Sequence, residues 1–200
     1  MPLVEDAEAS VGVQRIFAGA AELLAFVSNF ARTAAHAPSV VRWVIPMIAA
    51  IQRGGPDCTL DLRVKELAIL RTSTRNQCFF CTQHNIRLGR LVDVSDDQII
   101  AVSGEDPESS GEFDEAELAA IAWADLVTRN EAHADPAAYA RLEANYDNEQ
   151  IVELTLAACL FNFLNRFNDS MWIELDDGAQ PGAQLYIEPE AFQRYADGMY

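Results

Sequence analysis

From Ile16 onward, apolar positions recur at intervals of three and four residues almost to the end of the chain, and no stretch keeps the two-residue alternation of a strand between hairpin turns. The pattern predicts an all-α fold of about eight to nine helices. Ile16 to Ala35, rich in Ala, Leu and Phe, reads as a first helix closed before Pro38. A second runs from about Ser39 to Ile51, with Pro46 as its expected kink, and stops at Gly54, Gly55 and Pro56. Leu60 to Thr74 gives a third and Cys78 to Leu91 a fourth. A short fifth starts near Ser95, where Ser-Asp-Asp-Gln supplies a cap and an acidic first turn. The run Ser103 to Gly111 has the composition of a loop and reads as the junction between two halves. A sixth helix then covers about Asp114 to Arg129, a seventh surrounds Pro136 to Tyr146, and an eighth spans about Asn148 to Trp172. After Asp176 the chain turns irregular, and a short terminal helix is expected around Glu190 to Asp197.

The eighth helix differs from the rest. Ile151, Leu154, Leu156, Cys159, Leu160, Phe163, Leu164 and Phe167 make it apolar over more than one face, which suits the inside of a bundle or a contact with another subunit. Asn162, Asn165 and Asn168, with Arg166 and Asp169, interrupt it as a polar stripe. Buried polar groups need partners. The stripe is therefore expected to form a hydrogen-bond network between helices or subunits, with the lining of a pocket as the alternative.

A chain of 200 residues, 50% of them hydrophobic, can bury a sizeable core in one domain without disulfide staples. The opening MPLVEDAEAS carries acids where a secretory signal has basic and apolar residues, and no apolar run approaches the roughly 20 residues of a membrane span. The expectation is a cytoplasmic protein that does not enter a membrane. A formal charge of -17 gives a long-range field that repels nucleic acid and anionic lipid. Four cysteines in a reducing compartment do not make a structural framework, so a close pair among them points to redox or metal chemistry. Cys58 and Cys159, far from the pair, are expected to pack as small apolar residues. His36 and His133, near predicted helix ends, are expected to be caps or surface residues.

The pair lies in ELAILRTSTRNQCFFCTQH, residues 66–84. On a helix, Cys78 and Cys81 place their Cβ atoms roughly 5–6 Å apart, within reach of a strained disulfide. If the helix starts at Asn76 or Gln77, both fall where unpaired amides and the positive dipole end favour a thiolate. At about 100° per residue, His84 lies about 60° from Cys81 and about 120° from Cys78, with Asn85 between the two sulfurs in projection. Glu66 has Leu62, Ile69 and Leu70 on its own helical face, which desolvates the carboxyl and prepares it as a general base or proton relay. The plainer alternative is an ion pair with Arg63. For the cysteines the alternatives are inert packing and zinc. A closed zinc site takes four ligands, and Cys78, Cys81 and His84 supply three, with Cys58 the nearest fourth. Redox chemistry without metal or cofactor is the expectation.

The same residues resemble the AhpD-like, or carboxymuconolactone decarboxylase, superfamily: a helix with a Glu, twelve residues to CxxC, then a nearby His. RVKELAILRTSTRNQCFFCTQHNIRLGR is similar to the core segment of that family, and DEAELAAIAWADLVTRN with NEQIVELTLAACLFNFLNRFND to its second half. The resemblance covers about residues 38–176. It implies a single AhpD-like helical domain over 1–176 with its core at 38–176, followed by a C-terminal extension at 177–200. It further implies a homo-oligomer, trimeric or higher, and a peroxidase that reduces hydroperoxides through a dithiol/disulfide pair. By position, Cys81 is then the thiol attacked by peroxide, Cys78 resolves the sulfenic acid, and Glu66 and His84 relay protons. The reductant implied is a lipoylated or thioredoxin-like protein. Two positions depart from the family pattern: Asn85 stands where better-studied members have the histidine, and Phe80 precedes the second cysteine. A lyase of the decarboxylase type and a non-enzymatic redox-sensing oligomer are the rival implications, the former weakened because those decarboxylases do not depend on a CxxC pair.

Overall fold

Ser28 breaks the first long apolar run. Its hydroxyl accepts from the Ala31 N–H as a helix cap, and Ala25 takes a left-handed φ of 75°, so the expected single helix becomes α1 (Val11–Leu24) and α2 (Asn29–Ala34). The break is held by the chain's later return. Asn29 donates its backbone N–H to Asp176 Oδ1 at 2.5 Å and its Nδ2 to the carbonyls of Glu174 and Leu175, each at 3.2 Å. The remaining helices are α3 (Pro38–Gln52), α4 (Leu62–Arg75), α5 (Phe79–Leu91), α6 (Asp96–Ser103), α7 (Glu115–Arg129), α8 (Pro136–Glu143), α9 (Asn148–Ser170) and α10 (Pro189–Met199). The structure, a computed structural model, describes residues 1–176 and 184–199. Among these the fold is all-helical, and the extra helix relative to expectation comes from the Ser28 break. Residues 177–183 of the expected extension lie outside the described residues. None of the described helices is long and apolar enough to cross a membrane.

The chain forms two compact units, residues 1–58 with 170–200, and Thr59–Asp169. In the first, α1 packs against α3, α2 and α10. Its centre includes Val13, Phe17 and Ala35. Gly19 lets α10 approach closely: a Cβ there would lie 2.1 Å from Cδ2 of Tyr195. The Tyr195 hydroxyl donates to the Arg42 carbonyl at 2.7 Å, and burial pushes its pKa up to about 12. An isolated parallel bridge joins Gly54 to Tyr186. Helix α3 runs through Pro46 without ending.

In the second unit α4 packs against α5, α6 and α7. Two apolar clusters flank it, one around Trp123, Leu142 and Leu154, the other around Leu67, Leu70 and Ile121. The Asp114/Glu117 and Ser95/Gln98 capping boxes start α7 and α6 as their sequences dictate. The Ser103–Gly111 run is not a junction between units. Arg71 draws it in by donating Nη1 to the Val102 and Gly104 carbonyls at 3.1 and 2.5 Å while its Nε pairs with Asp125 at 3.0 Å. Lys65, nearly inaccessible, lies 2.6 Å from Glu153, which also accepts from the backbone N–H and hydroxyl of Thr59. Partial burial opposes ionisation of Glu153, but these donors, Lys65 first, hold its carboxyl down at about 2.

Cys58 is half-buried and Cys159 exposed, so neither is the buried packing residue expected. Cys159 sits on α9 between Leu156 and Phe163, both also exposed, on the face turned away from the core that Leu154 and Ala158 enter. His36 and His133 are exposed, as expected.

Candidate functional site

Helix α4 ends and α5 begins on one short segment. The Cys78 N–H donates to the Ser73 carbonyl at 3.1 Å and the Gln77 N–H to the Thr74 carbonyl at 3.0 Å, with Gln77 at φ 57°. This is the Schellman pattern, which satisfies the last carbonyls of α4 and normally recruits glycine at the left-handed position. It leaves no helical residues at Asn76 or Gln77, so α5 starts at Phe79 and Cys78 is its N-cap rather than a residue of its first turn. No side-chain oxygen caps α5. The Cys78 sulfur stands where such an oxygen would, and the Cys81 N–H favours its anion.

Cys78 and Cys81 are reduced, buried and hydrogen-bonded to each other. That hydrogen bond lowers the Cys78 pKa to about 7, against burial and the nearby charge of Asp169, with help from the Cys81 N–H and Asn165. The same hydrogen bond, followed by burial, pushes Cys81 well up. Two such groups titrate as a pair: one proton leaves near neutrality and the second is held. The direction of the two shifts favours the anion on Cys78, whereas the family resemblance implies Cys81 as the attacking thiol.

Helix α9 brings its asparagines to this pair. Asn168 Nδ2 donates to Cys81 Sγ at 3.1 Å. Asn165 hydrogen-bonds to both cysteines and donates to Ser73 Oγ at 3.2 Å. Asn76 Nδ2 donates to the Oδ1 atoms of Asn162 and Asn165 at 3.0 and 2.9 Å, and Asn162 in turn reaches Thr128 Oγ1 at 3.2 Å. The stripe is thus a network tying α9 to the α4–α5 junction, and its last two members are also part of the thiol site. The network is the arrangement that the stripe predicts ahead of a pocket lining. The signal was present as asparagines at every third position of an apolar helix.

Glu66 is 2% exposed on α4. Arg63, the plainer expected partner, pairs with Glu117 at 2.7 Å and donates to the Asp93 carbonyl and to Gln98 Oε1. His84 is half-buried on α5 with its ring 4.4 Å from that of Phe80. Asn85 is buried and donates Nδ2 to the Cys81 carbonyl at 2.7 Å. The structure thus joins the two thiols directly, with Asn165 and Asn168, and carries Glu66 and His84 on the two helices that meet at them. Among the described residues no three His, Cys, Asp or Glu side chains converge to hold a metal ion.

An all-helical protein with a buried CxxC dithiol at a helix start is the class these features define. Residues 38–126 match the carboxymuconolactone decarboxylase family. Among solved structures it is similar to a protein of unknown function from Agrobacterium tumefaciens, described as a candidate antioxidant-defence protein AhpD. That pair is 27% identical with a TM-score of 0.65, covering 73% of this chain and 97% of the other. An AhpD-core, peroxidase-related protein from Ralstonia eutropha JMP134 aligns over 100% of this chain and 96% of its own, at 17% identity and a TM-score of 0.74. The debrominase Bmp8 aligns over 99% and 96% at 20% identity and a TM-score of 0.72. The last two likenesses show the fold alone. No curated protein matches the sequence.

Proposed function

We propose that the protein is a thiol-dependent peroxidase that reduces hydroperoxides through Cys78 and Cys81. The observation that carries this reading is the hydrogen-bonded, reduced thiol pair whose first ionisation lies at about 7, since the thiolate is the nucleophile toward peroxide. Cys81 passes its proton to Cys78 and attacks the terminal peroxide oxygen, the alkoxide leaves and is protonated, and Cys78 displaces hydroxide from the sulfenic acid to close the disulfide. Glu66 and His84 are proposed to move protons between this pair and solvent. A lipoylated or thioredoxin-like dithiol protein returns the disulfide to the reduced state. A homo-oligomer, trimeric or higher, is proposed in line with the exposed Val152, Leu156 and Phe163 along α9.

One observation favours the reverse order of attack: the lowered pKa belongs to Cys78. Counting thiols after one equivalent of an alkyl hydroperoxide tests the reaction, and trapping the sulfenic acid in each single mutant tests the order. Rapid loss of two thiols in the unaltered protein, with a trapped sulfenic acid in Cys78→Ser and none in Cys81→Ser, is the expected result. A sulfenic acid in Cys81→Ser alone exchanges the two roles. Slow, mutation-independent loss rejects the peroxidase and turns attention to other two-electron reductions by a dithiol, such as the debromination for which Bmp8 is named.

A further inference from the structure

Asn168 is 3% exposed, and its amide serves a partner at one end only. Nδ2 donates to Cys81 Sγ at 3.1 Å, while Oδ1 is enclosed and has no hydrogen-bond partner among the described residues. An acceptor buried in that state is unfavourable until a donor reaches it. Chemistry fixes which way the amide faces. The one proton of Cys81 is committed to Cys78, so its sulfur presents a lone pair to Asn168, and only the Nδ2 end can serve it.

We infer that Asn168 is a catalytic residue that holds both reacting atoms: Nδ2 holds the Cys81 sulfur, and Oδ1 accepts the hydroxyl hydrogen of the terminal peroxide oxygen. The inference rests on the peroxidase reading with Cys81 as the attacking thiol. In R–O–O–H the terminal O–H bond survives the reaction. A sulfur–oxygen bond forms as the O–O bond breaks, the electron pair leaves on RO⁻, and RO⁻ takes the proton that Cys78 received from Cys81. Sulfur is oxidised by two electrons, the peroxide is reduced by two, and the O–H group passes intact to become Cys81–S–O–H. A single acceptor beside the sulfur therefore serves substrate and sulfenic acid alike. The Cys78 thiolate then forms the S–S bond and displaces hydroxide, which takes a proton from solvent. The substrate class that satisfies Oδ1 is one with a free terminal O–H, a hydroperoxide or hydrogen peroxide, and not a dialkyl peroxide.

The test uses the full chain carrying Cys78→Ser, in which Cys81 is the remaining thiol of the pair, and follows the Cys81 peptide by mass spectrometry. Two rates are compared: oxidation by cumene hydroperoxide, trapped with dimedone, and modification by methyl methanethiosulfonate. The second reagent has no hydrogen-bond donor and reports thiolate content and access alone. Adding Asn168→Leu lowers both rates, and lowers the peroxide rate by a further factor of about ten or more, the worth of one buried hydrogen bond. Asn168→Asp, which retains an acceptor oxygen, brings the ratio of the two rates back toward that of the parent. Should the leucine protein not fold, Asn168→Ser, too short to reach either atom, carries the same expectation. Equal factors for both reagents reduce Asn168 to support of the thiolate and overturn the inference, as does a ratio unmoved by any of the three substitutions. A parent protein whose Cys81 is modified by the thiosulfonate but ignores the hydroperoxide rejects the peroxidase reading itself, with no change at position 168 involved.

Discussion

The Thr59–Asp169 unit buries Lys65, Glu66, Arg71, Thr72, Ser73, Asn85, Glu117, Asn165 and Asn168, whereas the unit of residues 1–58 and 170–200 buries Thr33, Gln52 and Arg53. The unit of residues 1–58 and 170–200 solves a packing problem mainly by shape, as where the Tyr195 ring lies on Gly19. The Thr59–Asp169 unit takes charged and amide groups out of water, which is unfavourable unless each is paired or used. The contrast separates where the molecule spends stability on order from where it keeps polar groups poised for chemistry, and the thiol pair lies in the latter.

The strongest way to break this contrast is at the pair. Cys78→Ser removes the partner that shares the proton, so the thiolate absorbance that grows in through about pH 7 in the unaltered protein moves up in pH. Because only the thiolate attacks, the peroxide rate of the unaltered protein rises with pH below that point and levels off above it, and at neutral pH the variant falls by more than about tenfold. Stopped-flow absorbance across a pH series reads both effects.

Next in size is the Lys65–Glu153 pair. Lys65→Met leaves a mostly enclosed carboxylate without its cation and costs about 3 kcal/mol or more in denaturant unfolding. Asp6→Asn, at the exposed Arg32–Asp6 pair of the other unit, costs under about 1 kcal/mol. Equal effects would erase the distinction between the units. The sign of the pH dependence follows from Glu153: its folded pKa is depressed to about 2, so its contribution is complete above the ordinary carboxylate range and is lost as pH falls toward 2. Acid unfolding of Glu153→Gln should be shallower over that window.

Gly19→Ala probes the shape-packed unit. The added Cβ meets the Tyr195 ring at 2.1 Å, so α10 must shift, with a loss of about 1–3 kcal/mol and faster proteolytic release of the C-terminal segment. The smallest effect is a gain. Gln77→Gly relieves a side chain from left-handed backbone and stabilises by up to about 1 kcal/mol in thermal unfolding, while Gln77→Val destabilises.

Much of this was legible in the chain. The all-helical class, the caps at Ser95 and Asp114 and the limits of α9 followed from periodicity and local hydrogen-bonding chemistry, which are short-range. The Ser28 break was missed because its fixing partners, the carbonyls of Glu174 and Leu175 and the Asp176 carboxylate, lie about 145 residues away. The Ser103–Gly111 run has loop composition but is drawn into one unit by Arg71, again a long-range choice. At the site, the cysteines and the desolvation of Glu66 were readable from helical spacing. The charge preference for Cys78 was not, because it depends on which sulfur donates and which takes the place of the cap. The asparagine stripe announced itself by composition, yet only packing could aim Asn168 at a sulfur.

Cys78 closes α4 with its amide and is itself the N-cap residue of α5, leaving Asn76 and Gln77 as the whole connection between the two helices. Residues between elements usually retain conformational freedom that a reaction must quench each time it occurs. Here both are already committed, Gln77 to the Thr74 carbonyl and Asn76 to the Thr72 carbonyl and the α9 amides. The ordering entropy of the turn that carries the thiol pair was surrendered once, during folding, so the two sulfurs are held in place before anything reaches them.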